Sequence, residues 1–160
     1  MIVNDSSIFS PSVPDQRLLQ PNAIDITCDQ LFEYTAFSRV YCKDKPEHAP
    51  QLPMRFFGRE QEQVWELLAG RAYPFISDLK VEMPTDQVGW LISRSTLNRN
   101  GMFVLSGLYD SGFRGNIAGT IYCFNDSYIE KGSPIAQFVQ AKAQTRYMYN
   151  GQYQEKKETE

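Results

Sequence analysis

The sequence predicts an all-β fold, a sandwich or barrel of short strands. From Leu79 onward, apolar segments of strand length recur at Leu79–Met83, Trp90–Ile92, Phe103–Leu108, Ile117–Phe124 and Ile135–Val139. Turn residues stand between them: Pro84-Thr85-Asp86, Asn100-Gly101, Asp110-Ser111-Gly112 and Lys131-Gly132-Ser133-Pro134. With 160 residues, 42% hydrophobic and 13% aromatic, the chain has enough apolar surface to bury one core as one domain.

Taken in order, residues 1–20 mix Ser, Pro and Asp with a Leu18-Leu19 patch and read as an arm ending in a helical turn. Gln20–Ile26 is an apolar run holding a lone aspartate, Asp25. Cys42–Leu52 is a polar, proline-containing loop. The stretch Gly58–Gly70, GREQEQVWELLAG, is predicted as a short helix. Its Glu60, Glu62 and Glu66 favour helix, and Val64, Leu67 and Leu68 share a face at helical spacing. The strands follow. Gln152–Glu160 is charged and polar, predicting mobility. No repeat is present, so residues 1–146 are expected to form one domain and 147–160 a tail able to act as a lid.

Composition narrows function. A net charge of −3 argues against a general nucleic-acid surface, although a few arginines suffice for a small anion. Cys28, Cys42 and Cys123 form no C-x-x-C pair and read as reduced thiols. The amino terminus lacks a signal-peptide pattern, and no apolar run reaches membrane-span length. The expectation is a soluble, cytoplasmic protein without a membrane partner. A single histidine, His48, supplies a Ser-His-Asp or Cys-His mechanism poorly. The zinc-deaminase signature and the P-loop are both absent.

Four stretches can carry chemistry. RSTLNRNG, Arg94–Gly101, gathers guanidiniums, hydroxyls and amides directly after an apolar run. A hydroxyl pair opening a short helix after a strand suits a phosphate. Taken alone, the stretch reads first as a capped helical turn, with Ser95 or Thr96 capping and Asn100-Gly101 ending it. SGLYDSGFRG, Ser106–Gly115, is a hairpin turn in which Asp110 bonds its own backbone. The turn does not exclude chemistry, in which Asp110 is a general base, Phe113 a stacking face and Arg114 a charge clamp. In QPNAIDI, Asp25 is paired, exposed on a strand face, or near a metal-bound phosphate. In GSPIAQF, Gln137 is the one polar member of an apolar strand, on a solvated edge or at a site.

Together and in this order, QPNAID, SRSTLNRNG, GLYDSGFRG and GSPIAQF resemble the motifs of the dUTPase and dCTP deaminase superfamily, from about Gln20 to Gln154. The resemblance implies a jelly-roll-like distorted β-barrel, a homotrimer with shared active sites, and a deoxynucleoside triphosphate substrate. It implies that Arg94, Ser95, Thr96 and Gln137 contact substrate, Arg94 serving a neighbouring subunit's site. Asp110 would activate water, Phe113 would pack on the deoxyribose, and the backbone of Gly107, Leu108 and Tyr109 would read the uracil edge. Asp25 would lie near a magnesium-triphosphate, acting through water. Tail rings, Tyr149 among them, would cover the nucleotide. Two departures stand out. The glycine-rich last motif of ordinary trimeric dUTPases is missing, and YMYNGQYQ resembles deaminase-like members and archaeal-type dUTPases. Deaminases carry a glutamate ten positions after the hairpin aspartate, and here that residue is Thr120. The leading expectation is a magnesium-dependent dUTP diphosphatase. The alternatives are a dCTP deaminase, a bifunctional enzyme, and an inactive nucleotide-binding regulator.

Overall fold

A computed structural model describes residues 1–12, 15–35, 49–58 and 60–155. Expectations for Cys42, His48 and residues 156–160 lie outside the described residues.

The arm supplies β1 (Ile2–Val3), β2 (Phe9–Ser10) and β3 (Leu19–Gln20). Two 3-10 turns separate them, each capped by an aspartate: Asp5 accepts from the Ser7 N–H and Asp15 from the Arg17 N–H. Next come β4 (Ala23–Cys28), β5 (Gln30–Tyr34), β6 (Gln51–Pro53), β7 (Val64–Leu67), β8 (Ala72–Glu82) and β9 (Gln87–Ser93). The helix α1 (Ser95–Arg99) precedes β10 (Met102–Leu105), β11 (Arg114–Cys123), β12 (Ser127–Glu130) and β13 (Ser133–Lys142). The result is the predicted all-β, jelly-roll-like distorted barrel.

Two long strands organise it. β13 pairs with β9 along one edge, and with β4 and β1 along the other. β8 pairs with β11 along one edge, and with β5 and β2 along the other. Core side chains from the two sheets meet between them. The buried Phe138 of β13 lies edge-on to Phe9 of β2, with ring centroids 5.3 Å apart, and edge-on to Tyr109 at 5.2 Å. Side-chain bonds stitch the β9–β10 crossing where the sheets part. Ser93 Oγ accepts from the Val104 N–H at 2.8 Å, and Ser106 Oγ from the Leu91 N–H at 3.0 Å.

The helix expected over Gly58–Gly70 does not form. The described residues of that stretch hold a 3-10 turn, Glu60–Glu62, followed by β7. Trp65 and Leu67 are buried and Leu68 is exposed, which is the alternation of a strand. β12 pairs with β7, setting Ile129 opposite Trp65. Burial of those two alternate residues outweighs the helix preference of the glutamates. The strand expected over Phe103–Leu108 ends at Leu105, and that expected over Leu79–Met83 is the end of the longer β8. Of the tail, Gln154 and Glu155 are hydrogen-bonded to the rest of the chain at Gly112 and Arg114.

Candidate active site

Strand alternation decides which side chains meet. In the register of β4, β13 and β9, Asp25 pairs with Gln137, and Gln137 with Ile92. Their neighbours Ile24 and Phe138 are core residues, so Asp25 and Gln137 project from the opposite face of the sheet. Gln137 Nε2 donates to Asp25 Oδ1 at 3.2 Å. Arg94, two positions beyond Ile92, brings its Nε to 3.3 Å from Asp25 Oδ2. A third donor, Gln20 Nε2, reaches the same oxygen at 3.2 Å. These donors account for an aspartate that is only 2% exposed. Arg94 Nη1 also donates to the Pro134 carbonyl at 3.3 Å, which fixes the guanidinium plane.

Gln20 escaped the reading of the sequence, yet its signal is present. Gln20 pairs with Ala23 across a two-residue Pro21-Asn22 turn, which makes it a diagonal neighbour of Asp25.

After β9 the chain turns into α1. Arg94 occupies the N-cap position without a side-chain cap bond, so neither Ser95 nor Thr96 caps this helix. Both are exposed, and Leu97 is the buried anchor beneath them. Asn100 and Gly101, the latter at φ +73°, end it as the sequence suggests.

The hairpin lies at the other end of β9. Tyr109 exchanges both backbone bonds with Gly89, at 2.7 and 2.9 Å. Its N–H is therefore unavailable to a ligand, which leaves the exposed Gly107 and Leu108 as the open backbone. The Tyr109 hydroxyl donates to the Ala118 carbonyl at 2.8 Å and accepts from its N–H at 3.0 Å, filling the bulge in β11. Burial pushes this phenol up to about 12. Asp110 is exposed, and its carboxylate has no protein partner among the described residues. The turn is closed instead by the backbone, Phe113 N–H to the Asp110 carbonyl at 3.0 Å, so the side chain is not tied to its own backbone.

Phe113 is buried, with Tyr109 on one side and Tyr149 of the tail on the other, each at 5.4 Å between centroids. Ser111, also missed in the sequence, is buried. It donates to the Gln87 carbonyl at 2.7 Å and lies 2.6 Å from the Thr145 hydroxyl. Asp110 and Ser111 line a cleft of about 530 Å³ whose far wall is residues 143–151, the end of the domain and the first part of the tail. Arg114 is half-buried at the start of β11.

The structure thus gathers the expected residues into two groups. Asp25, Arg94 and Gln137 meet at one end of β9; Asp110, Phe113 and Tyr149 meet at the other. From Gly89 to Arg94 is five residues, about 16 Å of extended strand.

Among the described residues, no three His, Cys, Asp or Glu side chains cluster as a metal cage. The three donors on Asp25 leave one acceptor position of the roughly four on a carboxylate. With the Arg94 cation 3.3 Å from Oδ2, any contact between Asp25 and a metal ion would have to run through water.

Residues 4–143 match the family model described as dCTP deaminase-like. The chain belongs to the dCTP deaminase-like family. Within it, a probable deoxyuridine 5′-triphosphate nucleotidohydrolase of Halobacterium salinarum is 27% identical over 146 residues, covering 90% of this chain and 86% of that one. A dCTP deaminase of Pyrobaculum arsenaticum is 41% identical over 78 residues, which are 46% of this chain and 43% of the relative. In fold, the chain is similar to the 2′-deoxycytidine 5′-triphosphate deaminase from Agrobacterium tumefaciens. The TM-score is 0.63 at 15% identity, over 84% of this chain and 43% of that longer one. The dCTP deaminase-like match stops at residue 143, just before the tail segment that walls the cleft. At the position where the resemblance calls for a glutamate, this family member has Thr120, half-buried in β11 opposite Leu105 and Pro74.

Proposed function

We propose that the protein is a dUTP diphosphatase, converting dUTP to dUMP and pyrophosphate. The observation that supports it most is the free carboxylate of Asp110, set on a hairpin braced on both sides and lining a cleft. A carboxylate without a protein partner can accept a proton from water, and in this reading it orients and deprotonates the attacking water. Arg94, Ser95, Thr96 and Gln137 take the triphosphate, with Asp25 holding the Arg94 guanidinium in place. Gly107 and Leu108 offer open backbone to the base edge, and Phe113 with Tyr149 shapes the sugar pocket. Magnesium, when bound with the triphosphate, offsets its charge.

In this reading the phosphate contact Arg94 and the hairpin that carries Asp110 lie toward opposite ends of β9, Gly89 to Arg94 spanning about 16 Å of extended strand, so one chain by itself separates them. A homotrimer with sites between copies would set Arg94 of one chain against the Asp110 hairpin of the next. An exposed apolar face supports such assembly: Leu105 and Phe124 are 63% and 62% exposed, and Phe103 packs edge-on to Phe124. The two described cysteines are buried and unpaired, in keeping with a reducing, cytoplasmic setting.

The local identity to a dCTP deaminase favours a second reading, deamination of dCTP. Against it stands Thr120. Exchanging the amino group of cytosine requires a group that accepts and returns a proton near neutral pH, and a hydroxyl is too weak an acid and base. Incubation with dUTP and with dCTP, assaying pyrophosphate and ammonia, separates the readings. Pyrophosphate from dUTP and no ammonia above background from dCTP is expected. Ammonia at a comparable rate overturns the assignment.

A further inference from the structure

Among the tail's contacts with the hairpin, the side-chain amide of Gln154 makes two hydrogen bonds at once. Its Oε1 accepts from the Arg114 N–H at 3.1 Å, and its Nε2 donates to the Gly112 carbonyl at 3.0 Å. A primary amide carries a donor and an acceptor side by side, so it pairs with backbone as another peptide group would. The bonds fall on either side of Phe113. The Glu155 N–H then donates to the Arg114 carbonyl at 3.0 Å, and its carboxylate bonds Lys80 Nζ at 2.7 Å. Earlier in the tail, the Tyr149 N–H donates to the Ser111 carbonyl at 2.9 Å while its ring packs on Phe113.

Tail contacts therefore reach Ser111, Gly112, Phe113 and Arg114, the residues that directly follow Asp110. The barrel holds this segment from one side, with the Gly112 N–H donating to the Met83 carbonyl at 3.2 Å, the Met83 N–H to the Phe113 carbonyl at 2.8 Å and Ser111 Oγ to the Gln87 carbonyl at 2.7 Å, and the tail holds it from the other. Gly112 sits at φ +81°, and a glycine released from its contacts samples far more backbone conformations than another residue. The carboxylate of Asp110 has no bond of its own to hold it.

We propose that Gln154 is a positioning residue: its amide clips the turn after Asp110 in the same chain and so sets where that carboxylate points. The proposal rests on the reading of Asp110 as the base for dUTP hydrolysis. The tail's part of the site is then supplied in cis, by the same chain that carries Asp110, whichever copy provides Arg94.

The test uses the full chain with Gln154→Ala and Gln154→Met, since methionine keeps the side-chain volume but makes neither hydrogen bond. Steady-state dUTP hydrolysis and residue-resolved amide exchange are measured on each. In both variants kcat should fall about tenfold while KM moves less than about threefold. Exchange of the Arg114 amide should quicken roughly three- to tenfold, with the paired amides of β8 and β13 unchanged. Recovery by methionine would reduce Gln154 to packing and overturn the proposal. So would unchanged Arg114 exchange, or faster exchange with kcat unaltered. An unmodified protein that hydrolyses no dUTP would remove the diphosphatase reading and any role in that reaction, while Arg114 exchange would still decide whether the clip exists.

Discussion

Asp25 and Arg94, 69 positions apart in the chain, meet with Oδ2 and Nε separated by 3.3 Å. The carboxylate is buried on the outer face of the β4–β13–β9 sheet, and the guanidinium remains partly open to solvent. The pair therefore presents a cation at the surface from an anion held beneath it, an arrangement suited to a phosphate.

Asp25→Asn should destabilise the protein by about 1–3 kcal/mol, because the new amide must direct hydrogens at donors from Gln20, Gln137 or Arg94. Thermal unfolding would show the loss, and KM for dUTP should rise as Arg94 loses its anchor. An unchanged melting temperature would mean that the buried donors find other partners.

Asp110→Asn should lower kcat by roughly 10²–10⁴. The exposed side chain carries no structural bond, so the melting temperature should stay within a degree or so of the parent. Nucleotide binding, followed by calorimetry with a non-hydrolysable analogue, should persist. Turnover near the parent rate would assign the base elsewhere.

Gly89→Ala should cost about 1–3 kcal/mol through overpacking. A Cβ at this position would lie 2.6 Å from Phe138 Cε1, and that ring is 1% exposed in the core. Because Gly89 also pairs with Tyr109, activity should drop with stability. Denaturant titration reads the first effect, and a full-stability variant would show that the ring has room to move.

Cys28 and Cys123 should resist alkylation in the native protein. Burial pushes their thiols up to about 12 and about 11, so at pH 8 the reactive thiolate of Cys28 is on the order of one part in ten thousand. The neighbouring Asp29 charge adds to the shift at Cys28. Iodoacetamide labelling mapped by mass spectrometry should leave both unmodified until denaturant is added, with reactivity rising as pH approaches those values.

Much of this was legible from residue order. Strand-length apolar runs with Gly, Pro and Asn between them implied a β fold, because backbone pairing and one-sided burial impose that spacing. The end of α1 at Asn100-Gly101 and the hairpin at Asp110 are local in cause, so nearby residues suffice to predict them. Gly58–Gly70 was misread for the opposite reason. Its helix preference is real, yet Ile129, 64 positions past Trp65, offers a strand partner that local preference cannot register.

Chemical types at the site were likewise determined by sequence: a lone aspartate in an apolar run, a cluster of donors, an acid in a glycine turn. Their partners were not. That Gln20 completes the shell of Asp25, that the Tyr109 backbone is closed off by Gly89, and that Gln154 clips the turn beside Asp110 all depend on strand register and on the path of the tail. Hydrogen bonds are short-ranged and directional, so they are decided only when folding brings distant segments within about 3 Å of one another.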